Sequence, residues 1–208
     1  MDSGIMNLAL LLAVITTSIS SGGLVSWLGY YVPFMIASSV LIAVGSALLS
    51  TMSQWSEPSA WIGYQAIAGF GIGLGILQSN VVAQAALPFD EIPMGTGIMM
   101  AAQSLGAGLL VAVAQTTFKN TLVSGLIPID AAIGNNVHGI LNVGATDLRL
   151  FIGGIDDGKW LDRVTVIYNI SLLQTFRITA VVGGLALLPA PGVEWISVKK
   201  SVLEGETI

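Results

Sequence analysis

Residues 69–75 read Gly-Phe-Gly-Ile-Gly-Leu-Gly, with a glycine at every second position. A run of this kind can cradle a phosphate at a helix start, or it can thin a helix so that neighbours approach it. Phosphate binding requires glycine at set places, for the turn, for close approach to the pyrophosphate and for the opening of the helix. A G-x-G-x-x-G pattern begun at Gly69 needs glycine where Leu74 stands, and one begun at Gly71 needs it at Ile76; no P-loop lysine follows. The spacing excludes a nucleotide site.

Other chemistry is equally constrained. The chain contains no cysteine, so disulfides and thiolate metal sites are excluded. Its one histidine is His138, and no paired carboxylates or Ser-His-Asp set is positioned to meet, so an enzyme would lack acid, base and nucleophile. Asp130, Asp147, Asp156, Asp157 and Asp162 suggest calcium, but no EF-hand spacing with a closing Glu accompanies them, and a solvated face is the expectation. The net charge of −5 resides mostly in a loop and the tail, which points to no nucleic-acid partner. Neither metal nor cofactor is expected. What remains is a set of amides, Gln65, Gln78, Asn80, Gln103 and Gln115, and one cation, Arg177, all embedded in apolar sequence.

That setting is a bilayer. Hydrophobic residues make up 54% of the 208 and charged residues 9%, with mean hydropathy +0.84; a soluble domain carries about 25% charged residues. Charges are absent from 3–56, 58–89 and 92–118, and only Arg177 interrupts 164–193. Apolar stretches of this length exceed the roughly 20 residues that cross a hydrocarbon core. The expected class is an all-α integral membrane protein in contact with lipid. Its five transmembrane helices are placed at about 5–25, 32–52, 61–87, 97–118 and 165–188, with a long extramembrane loop over 119–164 and a tail over 189–208. Met1 and Asp2 give no positive n-region, so a cleaved secretory signal is not expected. Short breaks such as "GYYVP" and "LPFDEIPMG" make neighbouring helices antiparallel.

At 100° per residue, Gln65, Gly69, Gly73, Ile76 and Asn80 fall within an arc of roughly 80°, and Tyr64, Gly71, Gly75 and Gln78 gather on the other side. The third helix is therefore narrow on two faces and is expected between neighbours, since small residues let membrane helices approach closely. Gln103, Gly106, Ala107, Leu110 and Ala114 form a weaker stripe on the fourth. The amides suit interhelical hydrogen bonding or substrate contact. Arg177, at a cost of roughly 2.5–3.5 kcal/mol at mid-bilayer, suits either an anion or substrate contact, or snorkelling and pairing with amides and carbonyls.

Six stretches carry a resemblance, beginning with "SGIMNLALLL". "GGLVSWLGYYVPFMI" is similar to the second-half copy of the major facilitator superfamily loop signature G-x-x-x-D-[RK]-x-G-R-[RK]. Gly22 and Gly29 match its two glycines, while Ser26, Trp27, Tyr30 and Tyr31 replace its charged residues, which removes the gating ion pair. "WIGYQAIAGFGIGLGILQSNVVAQAALP", "GTGIMMAAQSLGAGLLVAVAQTTF", "GATDLR" and "VEWISVKK" then follow in the order found in the carboxyl-terminal part of fungal fourteen-helix drug:proton antiporters.

The resemblance implies a partial carboxyl-terminal half of a major facilitator fold, with a cytoplasmic tail and a missing amino-terminal half as expected partner. The implied function is efflux of small hydrophobic or amphipathic compounds, such as drugs or secondary metabolites, at the plasma membrane. It favours Gln65, Gly69, Gly73, Asn80 and Gln103 as cavity candidates, with Arg177 on a more peripheral helix, and leaves Gly71, Gly75 and Gly106 for packing. No acidic residue lies inside the five spans, so proton-carrying carboxylates would come from the other half. The alternative is a truncated membrane fragment that does not transport and serves assembly or interaction, because alternating access needs two halves.

Overall fold

The computed structural model describes residues 2–52, 58–128, 160–189 and 192. The aspartates from Asp130 to Asp157, His138 and the tail beyond Gly192 lie outside the described residues. Among those described, the chain is helical and contains no strand. The helices are α1 (Asp2–Leu28), α2 (Val32–Ser50), α3 (Pro58–Gly75), α4 (Gln78–Ala86), α5 (Ile92–Leu126) and α6 (Leu161–Leu185). Five segments are long and apolar enough to cross a membrane: Leu8–Val25, Val32–Ser50, Ser59–Gln84, Ile92–Leu126 and Asp162–Leu185.

The boundaries follow local chemistry. α1 runs past Val25 to Leu28 because nothing breaks it before Gly29, whose φ of 80° is the left-handed conformation that glycine adopts without a Cβ penalty. The Gly29 N–H closes the helix on the Val25 carbonyl at 2.8 Å. Gly22 therefore lies within α1, exposed, and only Gly29 of the signature pair stands in the connection. Pro33, whose missing N–H is harmless in a first turn, opens α2. Val25, Tyr31 and Val32 are buried at this corner with Val81 and Val82 of α4 against them.

α3 lies between α1 and α2 and packs on both; α2 also packs on α6, and α5 packs on α4 and α6. The third span is not one rod, since it breaks at Ile76–Leu77.

The fourth span is longer than its charge-free stretch. α5 has 35 residues, roughly 52 Å at 1.5 Å per residue, against a core of roughly 30 Å. Asp90 and Glu91 are exposed before its start and Lys119 is exposed along it, so its last turns are expected to stand in water, since a lysine is costly in hydrocarbon. Helix replaces loop over 119–126 for a visible reason. Leu122, Leu126, Val164 and Ser171 are fully buried there, and Gly125 makes room for Ile167. Phe118 and Tyr168 meet edge to face with centroids 5.2 Å apart. In water an apolar side chain must be covered by protein. The middle of α5 instead leaves Leu105 and Leu109 each 70% exposed, as suits contact with lipid or another membrane segment.

The absence of cysteine makes this division directly measurable. Ser124→Cys is expected to react with a membrane-impermeant maleimide applied from its own side, whereas Leu105→Cys stays unreacted until detergent is added. Equal labelling of the two would contradict the division.

Candidate functional site: the central helix and its buried amides

Alternate glycines serve opposite neighbours. A Cβ built on Gly69 would lie 2.8 Å from the Leu10 carbonyl oxygen and from Ala13 Cβ, and one on Gly73 would lie 2.6 Å from the Val14 carbonyl oxygen, all on α1. On the other face, a Cβ at Gly71 would lie 2.7 Å from the Ile42 nitrogen of α2, and one at Gly75 would collide with Ser38. α2 answers with Gly45, where a Cβ would come within 2.7 Å of the Ala68 nitrogen. Both seams are backbone against backbone.

The seams are also hydrogen-bonded. Ser38 Oγ donates to the Gly71 carbonyl at 2.7 Å, and Ser18 Oγ donates to the Gly73 carbonyl at 3.3 Å. Each neighbour thus reaches the central helix with a serine hydroxyl exposed to view by the missing glycine side chain. The sequence reading missed these two serines; their signal is a small hydroxyl residue within an otherwise apolar run.

The break lies just beyond. The Ile76 N–H still donates to Ile72 at 3.0 Å and the Val81 N–H to Leu77 at 3.1 Å, but between them the ladder is interrupted. The Gly73 carbonyl is taken by Ser18, and the Leu74 carbonyl by the Gln78 side-chain Nε2 at 3.0 Å. Non-helical backbone at membrane depth persists where protein groups or a water-filled cavity satisfy it.

Three amide oxygens remain. Gln65 Oε1, Gln78 Oε1 and Asn80 Oδ1 are buried without a hydrogen-bond partner among the described residues. Gln65 is 5% exposed and Gln78 2%. An unpaired buried acceptor costs about 1–3 kcal/mol.

The structure distributes the other sequence-derived residues. Gln65, Gly69 and Gly73 share the α1-facing stripe of α3, while Asn80 lies past the break on α4. Gln103 is exposed on α5, away from α3. A Cβ at Gly106 would meet nothing within 4 Å, because α5 touches α4 near its start and α6 near its end, leaving its middle open among the described residues. Arg177 is exposed on α6. No group of three His, Cys, Asp or Glu residues gathers among the described residues.

Five apolar spans, glycine-thinned seams and buried amides define a multi-pass membrane protein of helical-bundle type. Over nearly all of its length the chain is similar to fungal transporters. It is 40% identical over 98% of its residues to the MFS-type efflux pump MFS1 of Trichophyton rubrum, covering 37% of that protein. It is 42% identical over 95% to the MFS-type transporter olcL of Penicillium canescens, covering 33%, and 38% identical over 95% to the efflux pump roqT of Penicillium rubens, covering 36%. The chain is thus similar to these fungal MFS-type transporters and spans about a third of the length of the curated relatives it matches. No family model and no solved structure matches it.

Proposed function

We propose that the chain is the carboxyl-terminal portion of an efflux transporter for small hydrophobic or amphipathic compounds, such as drugs or secondary metabolites, working at the plasma membrane. Similarity over 98% of the chain to a protein named an efflux pump carries this reading. The first half of the transporter completes the cavity and supplies the carboxylates for proton antiport. Within this portion, Gln65, Asn80 and Gln103 face the substrate pathway. Gly69 and Gly73, pressed against α1, hold the wall that positions Gln65, and Gly71 and Gly75 hold its other side against α2.

The unpartnered oxygens of Gln65 and Asn80 support this assignment, because a substrate hydroxyl or amine donates to an acceptor already paid for by burial. The test is efflux of a hydroxyl-bearing fluorescent substrate by the assembled transporter. Gln65→Leu and Asn80→Leu are each expected to weaken it by about tenfold, the worth of one hydrogen bond of about 1.4 kcal/mol, with Ile62→Leu unchanged. Wild-type efflux kinetics in both leucine variants would remove these residues from the pathway.

A further inference from the structure

Arg177 faces away from the rest of the bundle. At 100° per residue it falls within roughly 40° of Val166, Ile170 and Val181, and roughly 120–140° from Val164 and Ser171. The first three are 38%, 46% and 62% exposed, whereas Val164 and Ser171 are 0%. The guanidinium therefore stands on a largely aliphatic outer face, with the Gln174 amide one turn back toward the helix N-terminus.

Its depth follows from α5. Tyr168 pairs with Phe118, the last residue before Lys119, so that aromatic pair marks the level where the long α5–α6 hairpin leaves the membrane. Arg177 lies nine residues below Tyr168 along α6, roughly 13 Å by helical rise. The Cα–Cβ bond of a helical residue tilts toward the helix N-terminus, and here that direction is toward Tyr168 and the nearby surface. A long arginine stem so directed snorkels, and local thinning of the bilayer closes the remaining distance.

We propose that Arg177 binds the phosphate of an anionic phospholipid in the leaflet beside the α5–α6 hairpin. The forked guanidinium matches phosphate oxygens with paired donors, and the aliphatic residues on either side lie along the acyl chains. Lys119 and Arg163 are exposed nearer the water, where they attract anionic headgroups to the same leaflet. Arg163 is stacked on Trp160, 5.7 Å from the ring centroid, which leaves Arg177 as the group that holds the lipid at depth. This site does not depend on the transport reading.

The experiment is native mass spectrometry of the full chain released from nanodiscs of equal phosphatidylglycerol and phosphatidylcholine. The wild type is expected to retain phosphatidylglycerol about fivefold over phosphatidylcholine, as about 1 kcal/mol per cation implies. Arg177→Gln is expected to fall to parity, while Arg177→Lys and Arg163→Gln keep a preference. Millimolar inorganic phosphate is expected not to displace the lipid. Parity in the wild type overturns the proposal, as does a full preference in Arg177→Gln, displacement by free phosphate, or displacement by a model transmembrane peptide bearing a central aspartate. Should Arg177→Gln fail to fold, loss of the preference in Arg163→Gln, with Arg177 intact, also overturns it.

Discussion

Gly71→Ala and Gly73→Ala are each expected to destabilise the bundle by about 1–3 kcal/mol, the cost of overpacking a tight interior. A methyl group at Gly71 meets the Ile42 nitrogen at 2.7 Å, and one at Gly73 meets the Val14 carbonyl oxygen at 2.6 Å. Both obstacles are backbone, so no side-chain rotation relieves them and a whole neighbouring helix must retreat. Retreat also stretches the serine hydroxyl bonds to the Gly71 and Gly73 carbonyls. The comparison variants are Gly63→Ala and Gly106→Ala, where nothing lies within 4 Å. There alanine is expected to be neutral or to stabilise by up to about 1 kcal/mol, since glycine within a helix is the costlier residue. Thermal unfolding of the purified variants in one detergent checks this. Equal losses at Gly71 and Gly106 would mean that the α3 seams are not the tight ones.

Leu122→Ala is expected to cost about 2–5 kcal/mol, in the range for emptying a filled aliphatic site. Leu122 is 0% exposed, near the end of α5 where that helix packs on α6, and the charge on Lys119 is expected to place this end of the hairpin outside the hydrocarbon core. Leu105→Ala, 70% exposed at mid-span, is expected to change stability by no more than about 0.5 kcal/mol. The same substitution on one helix thus reports two solvents. A loss at Leu105 matching that at Leu122 would place the middle of α5 in a packed interior.

These contrasts show what was legible in the residues. The number of spans follows from runs without charge, because an ion in hydrocarbon is costly wherever it sits. The place of α3 between α1 and α2 follows from glycine at alternate positions, which on a helix divides into two thin faces. The interruption at Ile76–Leu77 was not legible: no proline stands there, and the backbone groups are satisfied by Ser18, more than fifty residues away in sequence, and by the Gln78 side chain. The extension of α5 to Leu126 was hidden for a related reason. Lys119 ends the charge-free stretch, but the helix continues because Leu122 and Leu126 are buried and α5 meets α6 through Phe118 on Tyr168 and Gly125 on Ile167, a pairing distant in sequence. Gly106 resembles the α3 glycines in its stripe, yet no described helix meets it. Small residues permit close approach, but they do not say whether a neighbour comes.

The proposed function rests on the similarity to efflux pumps, and a segment exchange tests it most directly. Residues 1–208 would replace the matching segment of MFS1 of Trichophyton rubrum, to which they are 40% identical. The chimera would be expressed in cells lacking their own drug pumps, and retention of a hydrophobic fluorescent compound measured. Export above that of cells carrying MFS1 without the segment is the expected result. A chimera that reaches the membrane in folded form and exports no compound handled by MFS1 would contradict the transporter reading.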